Sequence, residues 1–187
     1  MDFIIRDLHS DESEAIQQIA EMLVESFREH WPTAFPTLDE ALETVEEGFA
    51  EGQISRIAVT NDGLVLGWIG GLHSYAEVWE LHPLVVRVDQ QHKGIGRALV
   101  ADLEHLVCQR GGLTLMLGSD DEDGMTTLSG VDLYPNVWHH IAQIRNLKGH
   151  PYEFYQKLGY HIVGVVPDAN GFGKPDIVMA KRLSAGD

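Results

Sequence analysis

The chain has 187 residues, 44% of them apolar, and carries 29 acidic against 13 basic side chains for a formal net charge of −16. That length supports one sizeable core, the acidity argues against nucleic acid because phosphate contacts need Lys and Arg, and the apolar runs fall far short of a membrane span. With one cysteine, Cys108, no disulfide framework forms, and the start MDFIIRDLHSDESE lacks a basic-then-apolar leader, so a cytoplasmic enzyme or binding domain is the expectation.

FIIRDL (3–8) predicts a first strand. Ser10 to Ser13 then offer N-cap candidates, followed by Ile16, Ile19, Leu23 and Phe27 at helical spacing. EHWPTAFP is a proline-broken connection, and Thr37 to Glu40 match a capping box whose helix turns Leu42, Val45 and Phe49 inward. RIAVT (56–60), the turn NDG and LVLGWIGGL (64–72) read as a hairpin, and Tyr75–Val86 as the next strand. Gly94–Arg110 is an amphipathic helix ended by a glycine pair, and LTLMLGS (113–119) a buried strand. A helix over Val137–Leu147, a short one over Tyr152–Leu158 and two closing strands, HIVGVV (161–166) and IVMAKRL (177–183), complete the order. The whole chain, 1–187, is expected to form a single α/β domain on a mixed sheet.

The fourth strand holds WELHPLVV (79–86), where Glu80 and His82 stand two residues apart and so share a face. Pro83 cannot donate a ladder hydrogen bond, so the strand must bulge or split there. Immediately afterwards QHKGIGRALV (91–100) sets glycines at 94 and 96 against a helix start, with Lys93 and Arg97 beside them. Exposed N–H groups at a helix start attract anions. The loop lacks the third glycine of a dinucleotide fingerprint and the G-K-[ST] of a Walker loop. Charge is uneven as well. No Lys or Arg occurs between Arg28 and Arg56 or between Arg110 and Arg145, and the second gap contains SDDEDG. Carboxylate-rich walls of that kind attract polycations.

Gln91 to Gly96 resembles the Q/R-x-x-G-x-G/A signature of the GNAT acetyltransferases, and the element order is similar along essentially the whole chain. The resemblance implies a mostly antiparallel central sheet of about seven strands flanked by helices, with a splayed, bulged fourth strand. It implies acetyl-coenzyme A as co-substrate, held by Gln91, His92, Lys93, Gly94, Ile95, Gly96 and Arg97 and by the backbone N–H groups of Leu84 and Val86. WELHPLVV, LGSDDEDGMTTLSGVDLY (117–134) and HPYEFYQKLGYHIVGVVPDANGFGKPDIVMAK (150–181) further resemble the aminoglycoside 6′-N-acetyltransferases. From this follow direct acetyl transfer to the 6′-amine of an aminoglycoside antibiotic, drug resistance, and a homodimer touching through PDANGFGKPD.

On the same resemblance Glu80 binds the reacting amine and takes its proton, directly or through water, with His82 beside it as helper or as a structural histidine. The Leu84 N–H stabilises the oxyanion, and Tyr155 serves the leaving sulfur. Asp123 and, less directly, Asp120 bind substrate amines, while Asp121 and Glu122 read as solvated loop acids. Tyr152, Tyr160, Trp31, Phe35 and Trp138 read as packing residues. No metal-ligand spacing appears, so no metal is expected. The alternatives are an acetyltransferase for another polyamine or a basic peptide, and a module that binds aminoglycoside or acetyl-coenzyme A without turnover.

Overall fold

In a computed structural model that describes residues 2–183, the elements run β1 (Ile4–Asp7), α1 (Ser13–Phe27), α2 (Leu38–Glu47), β2 (Ile54–Val59), β3 (Val65–Tyr75), β4 (Val78–Val86), α3 (Ile95–Gln109), β5 (Thr114–Asp120), α4 (Val137–Ala142), α5 (Tyr152–Lys157), β6 (His161–Val166) and β7 (Asp176–Arg182). The strands form a seven-stranded sheet in the order β1-β2-β3-β4-β5-β7-β6. The pairs β1–β2, β2–β3, β3–β4 and β6–β7 are antiparallel. This is the α/β, mostly antiparallel arrangement expected from the sequence. The chain divides into two compact units, one reaching from the N-terminal strand to Leu115 and including Leu183, the other Met116–Arg182.

The first unit is built on hydrocarbon. Ile19 and Leu23 of α1, Ala41 and Val45 of α2, and Ile57, Val65 and Trp68 of the sheet are fully buried in one cluster. Each large apolar side chain so removed from water stabilises the fold by about 1.5–3 kcal/mol. The Trp68 indole N–H of this cluster is paired, donating to Ser55 Oγ at 2.9 Å. Arg56, 13% exposed, bridges Asp7 of β1 and Asp102 of α3 at 2.7 Å each. The capping box at α2 forms its predicted bond, Glu40 N–H to Thr37 Oγ1.

Most boundaries fall within one or two residues of the sequence expectation, and three differences have a clear local reason. Helix α1 is entered at Glu12 with no side-chain cap. The Glu12 carboxylate instead accepts two bonds from Arg6 and one from the His9 N–H, a charge-assisted set that outweighs a neutral serine cap. Tyr75 closes β3 rather than opening β4, because the hairpin turns at Ala76 and Glu77. Helix α4 stops at Ala142 instead of running to Leu147. Beyond it the backbone is drawn to residues 125–127: Arg145 N–H donates to Thr127 Oγ1, Leu147 N–H to the Met125 carbonyl, and Asn146 bridges Thr126.

Candidate active site

In the first unit, the strand pair β3–β4 carries the interruption. Its register runs Gly67↔Val86, Trp68↔Val85 and Ile69↔Leu84, then resumes at Gly71↔Leu81. His82 and Pro83 therefore stand opposite the single residue Gly70, which is a β-bulge. A Cβ on Gly70 would lie 2.2 Å from the His82 carbonyl oxygen, so no side chain fits. Sequence reading located the bulge from Pro83 but missed Gly70, whose signal was the glycine pair inside WIGGL.

Along β4, Trp79, Leu81, Pro83 and Val85 are buried, Glu80 is half-buried and His82 is exposed. The desolvation cost that two titratable groups in an apolar strand would incur is thus largely avoided. Glu80 and His82 share a face, as the spacing predicts. Glu80 pairs with Leu72 in the register, and its Oε2 accepts from Ser74 Oγ at 3.2 Å. Ser74 was not foreseen. The backbone direction of β4 is equally informative. Arg87 N–H donates to the Leu66 carbonyl on β3, and the Val85 carbonyl also faces β3, lying 2.9 Å from the position of a Cβ on Gly67. Since peptide groups alternate along a strand, the N–H groups of Leu84 and Val86 point to the opposite edge.

The same unit contains the glycine loop. Gly94 sits at φ 87°, the left-handed region that glycine tolerates, with open space where its Cβ would be. It caps α3 without any side-chain hydrogen bond, and the first turn holds no acid. Ile95 anchors that turn in the core while Gln91, His92, Lys93, Gly94 and Arg97 are exposed and Gly96 is half-buried. Lys93 Nζ donates to the Asp89 carbonyl and Gln90 Oε1, bracing the loop, and Gln91 Nε2 reaches the Val86 carbonyl at 3.3 Å. Uncapped amides, no acid and an open approach fit a phosphate-bearing ligand.

The second unit carries the acidic loop, and here the sequence expectation is corrected. Asp121 is 0% exposed, and its carboxylate accepts the Met125 and Thr126 N–H groups at 2.7 Å each. Glu122 is likewise withdrawn from solvent and pairs with Lys174 at 3.4 Å. Neither is a solvated loop acid: together they fold the loop so that Asp120 and Asp123 remain accessible. Asp120 is half-buried and accepts from the Asn170 amide. The Asp123 side chain is 47% exposed and lies 3.6 Å from Lys148 Nζ, an exposed pair of the kind that contributes about 0–1 kcal/mol.

His150, absent from the expected site, organises this unit. It is 2% exposed, its Nε2–H donates to the Asp120 carbonyl at 3.0 Å, and its Nδ1 accepts the Tyr152 N–H at 3.2 Å. These bonds assign one neutral tautomer. Burial holds the imidazole below its usual range, partly offset by the Asp120 bond and by the charges of Asp121 and Asp120. Tyr155, three residues after Tyr152 on α5, is buried against Phe154 and Tyr160. Burial pushes its phenol up, so it stays protonated. Phe27 contacts Trp31 and Phe35 as packing aromatics, whereas Trp138 is 70% exposed. Among the described residues no cluster of His, Cys, Asp and Glu is arranged to hold a metal ion, and no helix is long and apolar enough to cross a membrane.

Residues 16–125 match the Acetyltransferase (GNAT) family. A crystal structure of an aminoglycoside 6′-N-acetyltransferase complexed with coenzyme A is 43% identical, covering 98% of this chain and 99% of its own, with a TM-score of 0.89. The aminoglycoside 6′-N-acetyltransferase from Enterococcus faecium is 42% identical over the same shares, with a TM-score of 0.84. No curated protein matches the chain.

Proposed function

The chain belongs to the GNAT acetyltransferase family, and from that premise we propose that it transfers the acetyl group of acetyl-coenzyme A to the 6′-amino group of aminoglycoside antibiotics, conferring resistance. The observation that carries this reading is the likeness, along 98% of the chain and at 43% identity, to an aminoglycoside 6′-N-acetyltransferase complexed with coenzyme A. The alternatives, another polyamine, a basic peptide or binding without turnover, have no comparable support.

Each proposed role rests on chemistry the residues supply. The amides of Gly94 to Arg97, uncapped and free of acid, receive the pyrophosphate of acetyl-coenzyme A, with Gln91, His92 and Lys93 shaping the loop. The Val86 N–H, directed away from β3, holds the pantetheine arm, and that of Leu84 polarises the thioester carbonyl and stabilises the oxyanion. Glu80, half-buried and steadied by Ser74, binds the 6′-ammonium and takes one proton, directly or through water, because an ammonium has no lone pair to attack with. His82 assists on the same face. The free amine attacks, a C–N bond forms and the C–S bond breaks; the acylated nitrogen releases its surplus proton to solvent, and the thiolate takes a hydrogen bond from the Tyr155 phenol, or a proton that solvent restores to it. Asp123 and Asp120 bind further ammonium groups of the drug.

Exposed apolar residues in the second unit, Phe172 at 85% within PDANGFGKPD and Trp138 at 70%, support a homodimer. The excess of acid supports a cationic small-molecule partner rather than nucleic acid, in the cytoplasm where acetyl-coenzyme A is available, without a membrane or metal requirement. The test is coenzyme A thiol release with paired drugs, kanamycin A carrying a 6′-amine and paromomycin a 6′-hydroxyl. Release with kanamycin A alone is expected. Release with both moves the acetylated position, and release only with spermidine or a basic peptide removes the antibiotic reading.

A further inference from the structure

On the face of the first unit that bears Glu80 and His82, a cavity of about 240 Å³ opens between the end of α2 and the bulged strands. Its lining includes Glu47, Gln53, Trp68, Leu72, His82 and Pro83. Leu72 is the register partner of Glu80, so the cavity adjoins the carboxylate proposed to receive the reacting amine. Its volume is below the roughly 300–1,000 Å³ of pockets that enclose whole drug-sized ligands, which suits one ring of a larger molecule.

Thr44, Glu47, Gln53 and His82 give the lining its polar groups. The Trp68 N–H is spent on Ser55, whereas Gln53 Oε1 is a buried acceptor with no hydrogen-bond partner. Native structures leave few such atoms unless a water or ligand supplies the donor. Gln53 is held in place: Arg110 Nη1 donates to the carbonyls of Gly52 at 2.8 Å and Gln53 at 3.4 Å. Glu47 adds an exposed carboxylate in the last turn of α2, where no Lys or Arg offsets the negative helix end.

We infer that this cavity is a second substrate subsite, taking an ammonium- and hydroxyl-bearing ring other than the one acetylated, with Gln53 and Glu47 as specificity-determining residues. The inference rests on the polycationic substrate class proposed above. It gives the bulge a further role: by setting His82 and Pro83 opposite Gly70, it shapes one wall of the cavity beside the reactive position.

The test measures coenzyme A release from the full chain with kanamycin A, alongside KM for acetyl-coenzyme A and the thermal midpoint. Variants are Glu47→Gln, at an exposed position, and Gln53→Leu, which removes the acceptor while keeping bulk. The expected result is an approximately fivefold or greater rise in the KM for kanamycin A in each, with kcat and the acetyl-coenzyme A KM changed by less than about twofold, the signature of lost uniform binding. Unchanged kanamycin KM in both folded variants overturns the subsite while leaving the reaction intact. Absence of turnover by the wild-type chain with any 6′-amine drug overturns the functional reading itself, and the subsite with it. A loss of kcat without a change in KM in Glu47→Gln also overturns the subsite as described.

Discussion

At the β3–β4 bulge the position of Glu80 is set by hydrocarbon and by a missing side chain: Trp79 and Leu81 are buried on one face of the strand, and Gly70 leaves room for the His82 carbonyl. At residues 120–125 the acidic loop is set by charge, with Asp121 fully buried on two backbone N–H groups and His150 bonded between Asp120 and Tyr152. Both arrangements position carboxylates, yet they fail differently. Apolar packing and sterics are indifferent to pH, whereas the buried His150 imidazole is held in its neutral form. The contrast teaches that the acidity of this chain has two uses, since some of its carboxylates face solvent and others, Asp121 first, are buried to hold a loop by its backbone N–H groups.

The sharpest way to break the comparison is Gly70→Ala. A methyl group 2.2 Å from a backbone oxygen forces the bulge apart, and a loss of about 3 kcal/mol is expected from denaturant unfolding. A change within about 0.5 kcal/mol, the ordinary range for a surface position, would show that the strands can yield. Next is Asp121→Asn, which turns an amide N–H₂ toward a buried N–H donor and should cost about 2–3 kcal/mol. If the loop stays equally protected in amide exchange, the charge is not what folds it.

Tyr155→Phe probes chemistry rather than folding. It should lower kcat about tenfold, equivalent to about 1.4 kcal/mol, with acetyl-coenzyme A affinity retained. Equal loss in both would reduce the tyrosine to a shaping role. The smallest expected effect concerns pH. Because the folded state holds His150 below its usual range, the unfolded chain binds a proton first as pH falls under about 6.5. The stabilisation is therefore full above that value and is lost as pH drops toward the folded-state pKa, at less than the roughly 1.4 kcal/mol per pH unit of one full proton. His150→Asn should flatten this slope relative to the wild type. A parallel slope would assign the dependence to other groups.

Much of the fold and part of the candidate site were legible in the residues. Helical spacing in α1 and α3, the Thr37 cap, the glycine loop at 94–96 and the bulge at Pro83 are local features, written within a few residues of where they act. Other features were illegible because their partners come from elsewhere in the chain. Asp121 and Glu122 read as solvated acids, since their burial depends on the N–H groups of Met125 and Thr126 and on Lys174. Nothing in HPYEFY marks His150 as the bond between Asp120 and Tyr152.

Sequence alone determined the order of elements, the place where β4 breaks, and the amide-rich start of α3, because backbone propensity and glycine or proline sterics act over short range. Tertiary structure decided which carboxylates are buried, which keep solvent exposure, and that Gly70 must stay bare. Those outcomes depend on which polar groups meet when water is excluded, and a buried charge is tolerated only where folding delivers its hydrogen-bond donors.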